Sequence, residues 1–392
     1  MSPEAQYITR CLSLAANGLG FTRPNPLVGC VIVKEDKILS EGYHQQYGTN
    51  HAERNAILRL WEKDRNALKG ATLYVNLEPC SHHGLTPPCA DLIIEAGIGK
   101  VVCSNDDPNP LVAGRGFEKL LQAGITVERH VLEKEGRFLN RRFFTFMKKK
   151  RPYIILKWAQ TANGLMASDQ RPYWISNPLT TCMSHKWRTQ EAAILVGAGT
   201  VRADNPTLTA RHYSGPNPTR IVLGGKNLDH QAYNIFNDQA PTLHYSEKTE
   251  LKSLLSDLYQ KKIQSMIVEG GRNILDQFLT EGLWDEIRIV TSPKTFPTGL
   301  PAPLAPVTPT TIGTIMIPFC ARFCLSLSTT FPTSPTLSPS TIIGPASTWS
   351  VTLKTSFPIS RTSPEDMMQM FFLSIPMLSA RSFCAARCMY SP

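Results

Sequence analysis

The chain has 392 residues, enough for two or three domains with buried cores, and its 42% hydrophobic and 18% charged content describes a soluble globular protein. Wholesale disorder, collagen-like repetition and a small disulfide scaffold are excluded, because ten cysteines are too few to staple a chain of this length. A formal charge of +10 predicts a liking for anions, and nucleic acid, phosphorylated metabolites and a dinucleotide all qualify.

The start, Met1-Ser-Pro-Glu-Ala-Gln6, lacks the basic and apolar blocks of a signal peptide, and no run approaches the roughly 18 apolar residues of a membrane span. A cytoplasmic protein without a membrane partner is expected. Residues 1–147 alternate strand-like and helical stretches. Leu27–Val33, Ala71–Leu77 and Lys100–Cys103 read as strands, with helices over Arg54–Trp61 and Ala90–Ala96. This βαβ alternation predicts an α/β sheet with helices on its faces. The basic run Lys148–Arg151, followed by Pro152, reads as a solvated linker over 148–152.

A second α/β region covers 153–295. Its predicted strands are Tyr153–Trp158, Ala193–Gly197, Thr219–Leu223, Ser265–Glu269 and Glu286–Thr291, with helices at Pro178–Thr189 and Asn273–Glu281. From 296 to 392 the character changes. Roughly 40 of the last 92 residues are Ser, Thr or Pro and only about seven are charged, a composition with no sustained period of 2 or 3.6. The expectation is a disordered, anomalous tail of the kind a shifted reading frame produces. Its scattered Cys320, Cys324, Cys384 and Cys388 lack the spacing of a metal site.

The strongest chemical signal is His51-Ala52-Glu53 followed by Glu78-Pro79-Cys80 and, after His82 and His83, Cys89. An imidazole and two thiolates suit tetrahedral zinc and leave a fourth position for water, whose pKa the metal lowers. A carboxylate two residues from the His can stand beside the metal and shuttle protons, the arrangement of zinc deaminases. A closed structural zinc knot would leave Glu53 without a role. His82 and His83 are competing ligand candidates, and eight residues, not two, separate the cysteines.

Glycines follow three predicted strands, at Gly197-Ala-Gly199-Thr200, Gly224-Gly225 and Glu269-Gly270-Gly271. Such turns allow close backbone approach to phosphates, and three in one region favour a dinucleotide site although none is a full Rossmann fingerprint.

Thr22-Arg-Pro-Asn25-Pro-Leu-Val-Gly29, Gly42-Tyr-His44, His51-Ala-Glu53, the Pro79–Cys89 loop and Asp107-Pro-Asn-Pro-Leu-Val-Ala-Gly114 together resemble the bifunctional riboflavin-biosynthesis deaminase/reductase family of the RibD type. Leu156-Lys157-Trp-Ala159, Trp174-Ile-Ser176, His185-Lys-Trp-Arg188, Gly199–Arg211 and Val268-Glu-Gly-Gly271 resemble its reductase domain. The resemblance implies a cytidine-deaminase-like three-layer α/β/α domain followed by a dihydrofolate-reductase-like α/β domain. It implies zinc on His51, Cys80 and Cys89, proton transfer by Glu53, and Asn25 and His44 beside the substrate. For the reductase it implies NADPH contacts from Ala159, Trp174, Thr200, Asp204, Gly225 and the turn at Gly271. Substrate contacts are implied for Lys157, Arg188, Leu208, Arg211 and Glu269, the two arginines being suited to a sugar phosphate.

The expected function is hydrolytic deamination of a phosphoribosylamino-diaminopyrimidinone, then reduction of its ribosyl group to ribityl. The partners are the phosphorylated pyrimidine and NADPH. A homo-oligomer is compatible with this reading and nucleic acid is not expected. The chain departs from the family at Thr161-Ala-Asn163-Gly164, where Ser-Leu-Asp-Gly is usual, at Leu165, where a basic residue is usual, and at Pro172, where a Ser usually contacts substrate; the stretch Asp169–Tyr173 is one residue short. Two other readings compete: a nucleic-acid base deaminase, which needs a basic strand-binding surface, and a catalytically dead regulatory protein.

Overall fold

The computed structural model describes residues 2–82, 87–109, 113–169 and 174–305, together with two backbone strands at 312–317 and 349–354. Helix α1 (Pro3–Ala16) starts where Ser2 accepts a hydrogen bond from Ala5 N, with Pro3 in the first turn. It is followed by β1 (Gly29–Lys34), β2 (Lys37–Tyr43), α2 (Ala52–Asp64), β3 (Thr72–Val75), α3 (Cys89–Glu95), β4 (Lys100–Cys103), α4 (Arg115–Gln122), β5 (Thr126–Glu128), α5 (Glu133–Leu139) and α6 (Arg141–Lys149). The sheet order is β2-β1-β3-β4-β5, with β1 antiparallel to β2 and β3, and β3, β4 and β5 parallel.

The period-two alternation of β1 divides its side chains between two cores. Val31 and Val33 join Ile8 and Cys11 of α1 on one face, while Cys30 and Ile32 join Ala56, Ile57 and Ile93 of α2 and α3 on the other. Three layers result, as the resemblance implies. Strand β2 has no counterpart among the predicted strands. Its hairpin turns on Glu35 and Asp36, both at positive φ (49° and 57°), without the Asn-Gly or Asp-Gly pair that usually announces such a turn.

The second half contains β6 (Tyr153–Gln160), β7 (Leu165–Ser168), α7 (Pro178–Gln190), β8 (Ala193–Gly197), α8 (Ala198–Asp204), β9 (Thr219–Leu223), β10 (Thr242–Tyr245), α9 (Leu251–Gln260), β11 (Ser265–Val268), α10 (Arg272–Thr280), β12 (Glu286–Thr291) and β13 (Gly299–Pro301). Helix α7 opens with a reciprocal capping box between Asn177 and Thr180 and has Pro178 in its first turn. The order β10-β9-β8-β11-β6-β12 is parallel throughout. Its five predicted strands fall on β6, β8, β9, β11 and β12, because strands buried on both faces read as continuous apolar runs. Strand β13 pairs antiparallel with β7 in a separate ribbon.

Sequence reading places no strand after Glu286–Thr291. In the structure the backbone of β15 (Trp349–Lys354) runs antiparallel to β12, and β14 (Ile312–Ile317) pairs with β15. The expectation of a disordered tail otherwise falls on residues outside those described, as do its four cysteines.

In the basic run Lys148, Lys149 and Lys150 are exposed and Arg151 is half-buried. Lys148 and Lys149 close α6, and Lys149 and Arg151 both grip Asp285 just before β12, at 2.9 and 2.5 Å. Further inside, Arg142 of α6 makes a bidentate pair with Glu191, which is fully buried and follows α7. Gly20, at φ +93°, lies so close to Thr189 that a Cβ there would meet its carbonyl oxygen at 2.4 Å. Gln264 also donates to Pro24 O at 2.6 Å. The two halves therefore share a packed, polar seam.

Candidate active sites

His51 is the N-cap of α2, in extended conformation, and its ring makes no capping hydrogen bond to the helix. Cys80 follows β3, and Cys89 opens α3, donating its backbone N–H to Cys80 Sγ at 3.3 Å. His51 Nδ1 stands 3.6 Å from Cys80 Sγ and 3.5 Å from Cys89 Sγ, and all three donors lie within 4.8 Å of one another. Bond lengths of about 2.05 Å to nitrogen and 2.3 Å to sulfur, at a tetrahedral angle, put N and S about 3.6 Å apart. The donor set thus fits zinc in both chemistry and spacing. His82 is not among these donors, and His83 lies outside the described residues.

Glu53 follows His51 by two residues in the first turn of α2 and is 3% exposed. Burial pushes its carboxyl up to about 7, against the opposing pull of His51. It stands beside Cys89 and outside the donor triad. Hydrogen bonding from Cys89 and His51 lowers Cys80, whereas Cys89 is raised, so Cys80 is the readier thiolate of the pair.

His44 packs edge-on to His51, with ring centroids 5.4 Å apart. Its Nδ1 reaches Asn50 O at 3.1 Å and its Nε2 meets Asn25 Nδ2 at 3.2 Å. A carbonyl can only accept and the amide nitrogen can only donate, so the two contacts select the neutral Nδ1–H tautomer. The structure thus brings Asn25 and His44 together beside His51.

Two carboxylates escape a motif reading here. Glu78, 3% exposed, accepts from the backbone N–H of Asp107, Gly114 and Gly116 at 3.0–3.2 Å, so it ties that loop to the Pro79-Cys80 corner. Burial raises Asp107 to about 7. Their only sequence signal is adjacency: Glu78 precedes Pro79-Cys80, and Asp107 opens a quoted motif.

In the second half, the glycine turns lie at the carboxyl ends of the adjacent parallel strands β9, β8 and β11, the usual place for a ligand crevice. Thr200 Oγ1 accepts from Gly271 N at 2.9 Å, joining two of the turns. Gly225, at φ +82°, approaches α8 so closely that a Cβ would meet that of Ala198 at 2.7 Å. Glu269, just past β11, binds Arg188 Nη2 at 2.9 Å and has Lys157 Nζ at 3.7 Å. Burial alone would raise its carboxyl, but these two cations hold it down to about 2. Arg188 Nη1 also donates to Thr209 O at 3.1 Å, next to Leu208, which is buried at the positive φ of 56°.

The structure thus brings Lys157, Arg188, Glu269 and Leu208 together, and Thr200 to Gly271. Ala159 packs on Ile175 and Phe296, whereas Trp174 is 80% exposed and Asp204 and Arg211 lie on the surface. Asn163, at the departure from the usual Asp, makes a two-way contact with the Phe296 backbone (2.7 and 3.3 Å). Pro172 lies outside the described residues.

Residues 1–105 match the family described as the cytidine and deoxycytidylate deaminase zinc-binding region, and residues 152–299 match the RibD C-terminal domain. The chain is 42% identical over 320 residues to the riboflavin biosynthesis protein RibD of Aquifex aeolicus, covering 76% of this chain and 89% of that one. This chain belongs to the RibD family. RibD of Escherichia coli is 38% identical over 327 residues, covering 74% and 88% of the two chains. A crystal structure from Thermotoga maritima, described as a diaminohydroxyphosphoribosylaminopyrimidine deaminase/5-amino-6-(5-phosphoribosylamino)uracil reductase, superposes with a TM-score of 0.75 at 35% identity, covering 90% of this chain and 99% of that one. Membership makes the chain a bifunctional enzyme of riboflavin biosynthesis, with a zinc-dependent deaminase half and an NADPH-dependent reductase half. Among the described residues no helix is long and apolar enough to cross a membrane.

Proposed function

We propose that residues 1–147 hydrolyse the 2-amino group of 2,5-diamino-6-(5-phosphoribosylamino)pyrimidin-4(3H)-one, releasing ammonia, and that residues 153–295 reduce the ribosyl group of the resulting uracil to ribityl with NADPH. The observation that carries this reading is the His51–Cys80–Cys89 triad at tetrahedral spacing, with the buried Glu53 beside it and outside it. Zinc held there supplies an acidified water at neutral pH. Glu53, buried beside the triad, would carry the two protons of the attacking water in turn, one to the ring nitrogen and the other to the departing amine. Asn25 and His44 orient the pyrimidine.

In the second half the ribose phosphate is held by Arg188 and Arg211, with Lys157, Leu208 and Glu269 lining the sugar. Ala159, Trp174, Thr200, Asp204, Gly225 and Gly271 hold NADPH so that its hydride reaches C1 of the ribose. The reaction runs in the cytoplasm on a small phosphorylated pyrimidine, without nucleic acid. A coupled assay on the full chain tests it, following ammonia and NADPH separately. Ammonia release that is independent of NADPH, then NADPH oxidation only after deamination, is expected. No ammonia from the diaminopyrimidinone, with zinc bound, would overturn it.

A further inference from the structure

Helix α7 carries His185 one turn before Arg188, on the same face. His185 is 3% exposed, and its ring packs edge-on to that of His212, centroids 4.6 Å apart, directly after Arg211. Among the described residues its Nδ1 has no hydrogen-bond partner, and neither do Arg188 Nε and Glu269 Oε1. Lys157 Nζ, at 3.7 Å, is too far from Glu269 Oε1 to serve. Buried polar atoms in folded proteins are nearly always partnered, because orphaning one costs its full desolvation. Here three orphans sit on adjoining side chains: a cationic donor, an anionic acceptor and an imidazole nitrogen. A ligand offering both an anionic oxygen and hydroxyl groups carries a partner of the right kind for each of them, which is the chemistry of a phosphorylated sugar.

We propose that His185 is a substrate-binding residue of the reductase site, hydrogen-bonding the phosphorylated sugar through Nδ1 alongside Arg188 and Glu269. The assignment rests on the reductase reading above. Burial, together with Arg188, His212 and Arg211, pushes the imidazole down to about 4. It is therefore neutral at working pH and keeps one N–H and one lone pair, so it adds a directional partner without another positive charge.

The test is steady-state reduction of 5-amino-6-(5-phosphoribosylamino)uracil by the full-length enzyme as wild type, His185→Leu and His185→Asn. His185→Leu keeps apolar volume against His212 but has no polar atom, whereas the Asn amide reaches roughly the Nδ1 position. The expected result for His185→Leu is a rise in KM for the uracil substrate of about tenfold, the size of one lost hydrogen bond. KM for NADPH and the deaminase kcat/KM should stay within about twofold of wild type, and His185→Asn should recover most of the lost affinity. An unchanged substrate KM in His185→Leu would overturn the proposal. So would parallel losses in NADPH affinity and deamination, which mark a merely structural role, or failure of His185→Asn to recover. Absence of NADPH oxidation by the wild type with this substrate would instead overturn the underlying reductase reading, and the assignment with it.

Discussion

Glu53 illustrates how much one position decides. A carboxylate at the second residue of α2, beside the metal triad but not in it, has no structural duty that a glutamine could not perform. Glu53→Gln should retain one zinc per chain while deaminase turnover falls at least about 10²–10⁴-fold, the range of general acid–base catalysis. Zinc analysis beside ammonia release checks this, and loss of zinc would make Glu53 structural. Cys80→Ser and Cys89→Ser should lose zinc outright, because each removes a thiolate from a three-donor set. The metal site was legible from the chain because its residues are few, chemically distinct and anchored on short motifs. Glu78 was not, since its partners are backbone N–H groups contributed by a loop 29 to 38 residues away. His185 was quoted within a motif, but only burial and the company of Arg188 and Glu269 give it a role.

At the scale of elements, the strands buried on both faces were legible, and the partly exposed ones, β2, β5 and β10, were not. Strands β6, β8, β9, β11 and β12 are buried on both faces and read as apolar runs, whereas β2 is half exposed and begins at an unsigned turn. The end of β11 also concentrates charge: Glu269 meets Arg188 from α7 and Lys157 from β6. An ordinary glutamate titrates near about 4.3, so a carboxyl held at about 2 stabilises the folded state above the unfolded value. That contribution, about 3 kcal/mol, is fully present above about pH 5 and is lost as the pH falls from about 4.5 toward 2. Glu269→Gln should therefore be markedly less stable than wild type at pH 7, with the difference shrinking below about pH 4.5. Urea unfolding across that range measures it, and a gap constant with pH would show that Glu269 is not held as an anion.

For the whole molecule, the run read as a linker in sequence lies beside a polar seam, to which Lys149 and Arg151 contribute through Asp285. Sequence could not show this, because the partners Glu191 and Asp285 lie 49 and 134 residues away from Arg142 and Arg151. Arg142 is the decisive residue: it belongs to the deaminase half, is itself buried, and neutralises Glu191 of the reductase half. With Arg142 removed, the nearest remaining cation to Glu191 is Arg288 at 3.8 Å, which also serves Glu286 at 2.7 Å. Breaking one partner out of a buried pair costs about 3–5 kcal/mol, since the other charge stays behind without compensation. Arg142→Ala should lose that much stability, and the loss should fall on the seam. In the wild type, deaminase and reductase activities should disappear at the same temperature on heating. In Arg142→Ala they should disappear at separate temperatures, as two transitions replace one. Two transitions already present in the wild type would show that the seam does not couple the halves, and that each folds on its own account.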